Sequence, residues 1–399
     1  MILRTLSKTK KIQGVRVLVR VDWNIPLDGT IEPEASLKVE RSLGGIRDLV
    51  HRGAIVILLT HLGRPKKREK YLSTKRLVPL LQKTYDLKVI FHPESVGDVV
   101  ARKKLLTCLA CAAPGSVHLL ENVRFEPGEE KNIVGLAKAY ASLGDLFVQD
   151  AFASCHRAHT SVLGVTKQLP SFAGPALVEE VKTLSLLLKK PKRPFVAIIG
   201  GKKLTTKIPV IQALLSLCDT VMVGGAMAHP FFVAQGLAIG ASYLEKEAIG
   251  AAKKLLDASN LILPKDVIVT TKVEETAVLR RVSVKEVAKK EVIVDLGYGA
   301  MKEWGERIQG AKTILWNGPV GLTEVKSMGA GSRFIARVIG RRAKGATLGV
   351  AGGGDTIPVI MATQTQAGFD FVSTGGGAML EFFAKRGELP GLIPLVVSS

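Results

Sequence analysis

Two sets of residues in this 399-residue chain are suited to binding anions, and they use opposite chemistry. Up to His159, short apolar runs end in arginine and histidine. The run at 15–19 leads into Arg20-Val21-Asp22, that at 54–59 into His61-Leu62-Gly63-Arg64, that at 117–120 into Arg124, and that at 146–148 into His156-Arg157-Ala158-His159. From Phe195 onward the same kind of run ends in glycine. Residues 195–199 lead into Gly200-Gly201, 221–223 into Gly224-Gly225, 347–350 into Gly352-Gly353-Gly354-Asp355, and 371–374 into Gly375-Gly376-Gly377. A guanidinium fork grips phosphate or carboxylate oxygens in a fixed plane, and imidazole adds donors. A glycine turn instead exposes bare backbone amides, which suit nucleotide phosphates, above all where the turn opens a helix. One set therefore fits a small polyanion and the other a nucleotide.

The elements that must position these residues follow from the same runs. A parallel strand buried on both faces reads as a continuous apolar run, and open α/β sheets place ligands beyond the carboxyl ends of such strands. Helical patterns at 37–50, 72–85 and 247–258 alternate with the runs, which predicts an α/β protein. The length exceeds what one hydrophobic core sustains. We expect two doubly wound, Rossmann-like parallel-sheet domains, joined by a bridging helix, with a cleft between them. The expected parts are residues 1–173, an interdomain helix at 174–190, residues 191–384, and a tail at 385–399. The tail's segment Leu389-Pro390-Gly391-Leu392-Ile393-Pro394 is apolar, so it should pack back toward the first domain.

Composition narrows the function classes. The net charge is +21, which would suit nucleic-acid binding, yet the basic residues are scattered from Lys8 to Arg386, aromatics are 5%, and no nucleic-acid-binding signature is present. A general positive field would steer anionic metabolites. Residues 1–14 are basic without an apolar core, and no run approaches the roughly 18 residues of a membrane span, so a cytoplasmic, soluble protein is expected. Cys108 and Cys111 have C-x-x-C spacing without a second metal-binding pair, and they read as buried free thiols. The loop Gly200-Gly201-Lys202-Lys203-Leu204-Thr205-Thr206-Lys207 lacks Walker A spacing, and no G-x-G-x-x-G turn follows the first strand, which excludes a nicotinamide dehydrogenase.

Taken in order, Arg20-Val21-Asp22-Trp23-Asn24-Ile25-Pro26, His61-Leu62-Gly63-Arg64-Pro65, Glu121-Asn122-Val123-Arg124-Phe125, Asp150-Ala151-Phe152, His156-Arg157-Ala158-His159, Trp316-Asn317-Gly318-Pro319, and the glycine clusters at 352–356 and 373–378 resemble the phosphoglycerate kinase family over nearly the whole chain. The resemblance implies reversible phosphoryl transfer between 1,3-bisphosphoglycerate with ADP and 3-phosphoglycerate with ATP, in glycolysis and gluconeogenesis. It implies a monomer that closes about its hinge, with Mg2+ as cofactor and neither membrane nor nucleic acid as partner.

It also assigns residues. Arg20, Asp22, Asn24, Lys38, His61, Arg64, Arg124, His156, Arg157 and His159 would bind 3-phosphoglycerate. Gly201, Lys203, Lys207, Gly225, Asn317, Pro319, Leu322, Glu324, Gly353, Gly354, Asp355, Thr356, Thr374 and Gly375 would bind nucleotide, with Glu324 on the ribose. Lys38, Lys203, Gly353 and Gly376 would act on the transferring phosphoryl. Asp355 is the metal candidate and also a natural helix N-cap, two compatible roles.

Departures from the family pattern stand at Lys38, where the family has arginine, at Thr206 for aspartate, Lys202 for alanine, Gln149 for asparagine, Ala153 for glycine, and Gly44-Gly45 for Pro-Thr. Lys38 and the +21 charge leave a second reading open, a catalytically weakened relative acting as a nucleotide- or nucleic-acid-binding protein.

Overall fold

The computed structural model describes residues 1–27, 33–342 and 347–397, without the side chains of Pro33 and Glu34. It divides into two compact units, Met1–Leu184 with Gly387–Ser399 and Ser185–Arg386. The division falls inside the helix Pro175–Lys189.

The first unit is built on six parallel strands, β1 (Arg16–Arg20), β2 (Ile55–Leu59), β3 (Ile90–His92), β4 (Val117–Leu120), β5 (Leu146–Gln149) and β6 (Ser171–Ala173), in the order β3-β4-β2-β1-β5-β6. The apolar runs are continuous because alternate residues feed two cores. Val17, Val19, Val56 and Leu58 join Val39, Leu43 and Ile46 of the helix Pro33–His51 on one face. Leu18, Ile57 and Phe147 join Leu105 and Leu109 of the helix Val99–Ala110 and Tyr140 on the other. A half-exposed strand would have alternated with polar residues instead. The order reverses between β1 and β5, the switch point at which open sheets leave a crevice.

The tail belongs to this unit. Leu389, Leu392 and Leu395 are buried, Gly391 N–H donates to the Cys155 carbonyl at 2.8 Å, and Leu3 bridges Val396. Asp150 holds the start of the helix Pro175–Lys189, its Oδ1 accepting from Leu177 N–H at 3.0 Å.

The second unit carries β7 (Phe195–Ile199), β8 (Thr220–Val223), β9 (Leu261–Ile262), β13 (Thr313–Asn317), β14 (Leu348–Gly352) and β15 (Phe371–Ser373) as a parallel sheet in the order β15-β14-β13-β7-β8-β9. Its switch point lies between β13 and β7. Between β9 and β13 the chain adds an antiparallel sheet of β10 (Asp266–Thr270), β11 (Arg280–Ser283) and β12 (Val292–Leu296), which the sequence reading did not anticipate. Only β11 is largely exposed; β10 and β12 are five residues long like β1 and β7, and their apolar runs at 267–269 and 292–294 went unread.

Two further expectations are corrected. The helix read at 72–85 begins at Val78, after two 3-10 turns at Lys70–Leu72 and Thr74–Leu77. Those turns form because Glu121 accepts from Thr74 N–H and Ser73 Oγ, which holds the chain in a loop. Cys108 and Cys111 are exposed rather than buried. Their helix turns Leu105 and Leu109 inward, while Cys108 lies to the side of that stripe and Cys111 caps the helix end, where both reach solvent. No helix among the described residues is long and apolar enough to cross a membrane.

Candidate functional site

In the first unit the cations gather beyond β1, β2 and β5. Arg20 ends β1 and is 1% exposed. Its guanidinium donates to Ser161 Oγ at 3.0 Å and to the Val21 carbonyl, and lies 3.0 Å from His61 Nδ1. Ser161 in turn donates to Glu129 at 2.6 Å. Arg20 is therefore placed behind the rim, holding His61, and Glu129 offsets its buried charge. The sequence reading missed Glu129 and Ser161, which lie far along the chain from Arg20 and carry no local motif.

Asp22 stands 4.0 Å from His61, and Asn24 Oδ1 accepts from Gly63 N–H at 2.7 Å. Lys38 reaches the same place from the helix Pro33–His51, with Nζ 3.4 Å from the Asn24 carbonyl. Arg41 on that helix pairs with Glu180 at 2.8 Å. Asn122 braces the loop by donating to the Leu62 and Leu72 carbonyls. Arg124 donates to the Gly63 carbonyl and approaches Glu130 at 3.5 Å, Arg157 contacts His156 at 3.2 Å, and Arg64 is exposed.

The electrostatics show how tightly these groups are clustered. Burial, reinforced by Arg20, Arg124 and Arg157, drives His61 well below its ordinary pKa. Burial followed by Arg157 and Arg124 brings His159 down to about 4, and burial with Arg157 lowers Arg124 to about 10. Burial contributes most to each shift and the neighbouring positive groups add to it, so an anion taken up here would relieve part of that cost.

In the second unit the glycine turns follow β7, β14 and β15 and meet the end of β13. A side chain at Gly200 would collide with the Pro319 backbone carbonyl, and one at Gly376 with the backbone of Gly353. Glycine there lets separate loops touch. Trp316 Nε1–H donates to the Gly318 carbonyl at 2.9 Å and fixes the turn after β13. Gly318 N–H donates to Thr356 Oγ1 at 2.7 Å. Asn317 and Lys207 meet, with Lys207 Nζ 2.7 Å from the Gly200 carbonyl and 3.4 Å from Asn317 Oδ1. Burial lowers Lys207 to about 8, and the Asp355 carboxylate opposes that shift.

Beside these turns a cleft of about 310 Å³ is lined by Gly201, Gly225, Pro319, Leu322, Glu324 and Asp355, all singled out in the sequence. Its other wall comes from the unanticipated antiparallel sheet, including Val267, Ile293 and Asp295, with Phe232, His229 and Tyr243 beside it. Asp295 is buried, which pushes it up to about 6, and accepts from Gly331 N–H at 3.0 Å. Of the two adjacent lysines, Lys202 lines the cleft, 4.8 Å above the Tyr243 ring, whereas Lys203 is exposed outside the lining. Gly354 is exposed, and Thr374 and Gly375 close the loop after β15, where Gly375 N–H donates to Ser373 Oγ at 3.1 Å.

Asp355 precedes the helix Thr356–Ala362 but makes no side-chain cap bond, so its carboxylate is available to a cation. Among the described residues no three His, Cys, Asp or Glu side chains converge as a metal cage. A single carboxylate beside a phosphate site fits magnesium, which completes its shell from phosphate oxygens and water.

Comparison with known proteins agrees with this arrangement. The sequence profile of the family described as phosphoglycerate kinase matches residues 7–386. The chain is 37% identical over 399 residues to phosphoglycerate kinase of Rhizorhabdus wittichii, covering 98% of this chain and 99% of that protein. It is 40% identical over 386 residues to phosphoglycerate kinase of Thermus thermophilus, covering 95% and 96%. Among solved structures, phosphoglycerate kinase from Coxiella burnetii superposes with a TM-score of 0.82 at 34% identity, covering 97% of each chain, and that from Pyrococcus horikoshii with 0.83 at 27% identity, covering 98% of each. The chain belongs to the phosphoglycerate kinase family.

Proposed function

We propose that the chain is a monomeric, cytoplasmic phosphoglycerate kinase that binds 3-phosphoglycerate at the cationic rim of the first unit and ATP or ADP at the glycine turns of the second. The observation that carries this reading is the gathering of Arg20, His61, Arg124, Arg157 and His159 beyond β1, β2 and β5, where burial and the neighbouring arginines lower His61 and His159, on a chain whose other sheet ends in glycine turns that expose backbone. Because all the cations and glycine turns of both sites are present, the enzyme is preferred over a binding-only relative.

The chemistry is attack by a carboxylate oxygen of 3-phosphoglycerate on the γ-phosphorus of ATP. The new P–O bond gives the acyl phosphate as the bond to ADP breaks, and the reverse step regenerates ATP. Little covalent work falls to protein groups in such a transfer, so positioning and charge neutralisation supply the rate. Arg64, Arg124 and Arg157 hold the acceptor's charged ends, with Asp22 and Asn24 on its hydroxyl. His156 and His159 add donors, and Arg20 orients His61. Lys38 and Lys203 neutralise the moving phosphoryl, and the amides of Gly353 and Gly376 receive its oxygens. Lys207 and Asn317 hold the phosphate chain, and Glu324 takes the ribose. Magnesium held by Asp355 would supply charge neutralisation on the nucleotide phosphates. Transfer in line requires closure during turnover, with the helix Pro175–Lys189 as hinge.

The test is a coupled assay of ATP-dependent phosphorylation of 3-phosphoglycerate. Asp355→Ala should weaken the magnesium dependence and leave 3-phosphoglycerate binding intact, and Arg64→Ala should do the converse. Loss of both ligands in either folded variant would show the two-site assignment to be wrong. Small-angle scattering with both ligands should show compaction, and light scattering a mass near 42.8 kDa.

A further inference from the structure

A second cavity, of about 570 Å³, lies within the first unit, and none of the rim cations is in its lining. It sits between the helix Pro33–His51 and the strands β1, β5 and β6, with Leu6, Val19, Ile46, Leu49, Val148 and Val178 as apolar wall. The helix meets it with Gly44 and Gly45, the pair already singled out in the sequence. A methyl at Gly44 would meet nothing within 4 Å, and one at Gly45 would stand 2.9 Å from Pro175 Cδ and 3.7 Å from Asp150 Oδ2. The bare backbone of this pair therefore leaves open the space in front of the Asp150 carboxylate.

Asp150 is nine-tenths buried, yet it keeps 7% of its surface and lines the cavity. Its Oδ1 accepts from Leu177 N–H at 3.0 Å, and the Ala176 amide also favours the charged form. A carboxylate has about four acceptor positions, so two amides leave capacity over. Among the described residues no cation pairs with it, and burial pushes it up to about 7. The other charged groups of the lining are engaged or face solvent. Arg52 donates to Asp48 at 3.1 Å and to the carbonyls of Ser7 and Lys10, and Lys8 is exposed.

We propose that this cavity is a binding site for a small primary amine, its ammonium seated on Asp150 and its apolar body against the wall of Val19, Leu49 and Val148. A buried carboxylate without a cation has lost water and gained little in return, so an ammonium that also donates to it recovers part of that loss. An anionic molecule would meet repulsion at the same point. The cavity shares no lining residue with the nucleotide cleft.

Benzylamine and benzyl alcohol are the matched probes, alike in size and shape and different in charge. Calorimetric titration of the full chain near pH 8, where Asp150 is mostly ionised, should give benzylamine a dissociation constant on the order of 1 mM and benzyl alcohol one at least about tenfold weaker. Saturating 3-phosphoglycerate should leave benzylamine binding in place, which separates the cavity from the rim. Asp150→Asn keeps the shape without the charge and should bring the two probes level by weakening benzylamine, which a merely structural role for the carboxylate would not do. Gly44→Leu puts a better helix former into open space, so it should fold, and its side chain should cost benzylamine about tenfold or more. A parent that binds neither probe, or binds both equally, overturns the proposal, as does a benzylamine affinity unchanged in either folded variant. If Asp150→Asn does not fold, Gly44→Leu and the preference of the parent decide.

Discussion

The two parallel sheets share a plan, six strands with the order reversing beside the first strand of each, yet their strand ends carry opposite solutions to anion binding. Beyond β1 and β5 the work falls to side chains. Arg20 spends its donors on Ser161 and His61, Glu129 stands behind Ser161, and burial together with the nearby arginines lowers Arg124 and His159. Beyond β7 and β13 the work falls to backbone, and the side chains withdraw. Gly200 lies against Pro319 and Gly376 against Gly353, with the half-buried Lys207 set beside the Gly200 turn. The topology supplies a crevice in either case, and residue type decides its chemistry. A cationic rim carries repulsion that an anion relieves, whereas a glycine turn depends on close approach that any Cβ forbids.

The largest effect that could break this comparison is expected at Gly200. In Gly200→Ala the new methyl meets backbone, which cannot rotate away, so the turn after β7 or that after β13 must shift. We expect a loss of about 3 kcal/mol in stability, read from denaturant unfolding, together with loss of nucleotide binding. Binding of 3-phosphoglycerate, followed by calorimetry, should persist. A parallel fall in both affinities would dissolve the distinction between the two sheets.

Next in size is Arg124→Ala. It removes a charged fork from the rim, and we expect the dissociation constant for 3-phosphoglycerate to rise about a hundredfold, with ADP unaffected. An effect on ADP of similar size would mean that the rim does not belong to one ligand alone.

Lys38→Arg sharpens the comparison within the rim. Lys38 stands beside Asn24 at 3.4 Å, and the neighbouring Arg41 is committed to Glu180. An ammonium there neutralises charge but cannot hold two oxygens in a plane. Restoring the guanidinium should raise kcat about tenfold with little change in KM, because the interaction is made mainly in the transition state. A kcat within error of the parent would remove Lys38 from the chemistry.

The smallest expected effect is a fraction of a proton. His159 without ligand has its pKa lowered to about 4 from an ordinary 6.5, so near pH 5.5 it is mostly neutral. A bound anion favours the charged imidazolium and raises the pKa, so binding takes up protons between about pH 4 and 6.5. Calorimetry in buffers of different ionisation enthalpy should show less uptake in His159→Gln than in the parent, the ligand's own titration cancelling in the difference. Equal uptake would place His159 away from the anion.

Four strands of each parallel sheet, the helix Pro175–Lys189 and the positions of the cations and glycine clusters were legible in the sequence, because a strand covered on both faces must be apolar throughout and its end is marked where polar or glycine residues begin, whereas β3, β6, β9 and β13 were not read. Residues 72–77 were read as helix, since the side chain that stops it, Glu121, is distant in sequence. The antiparallel sheet β10–β12 went unread although β10 and β12 carry apolar runs, because β11, the strand that pairs with β10, is polar and largely exposed and an apolar run does not declare its pairing direction, and with the sheet went the second wall of the nucleotide cleft and Asp295.

By itself, then, the sequence determined which residue types close each strand and hence which anion chemistry each unit can offer. Only the tertiary structure decided which of those residues face a ligand and which brace the ones that do. Arg20 is buried behind His61, and Lys202 rather than Lys203 lines the cleft. Local residue types fix what a group can donate or accept. Burial and long-range partners fix whether that capacity is already used, and these depend on contacts that no local pattern encodes.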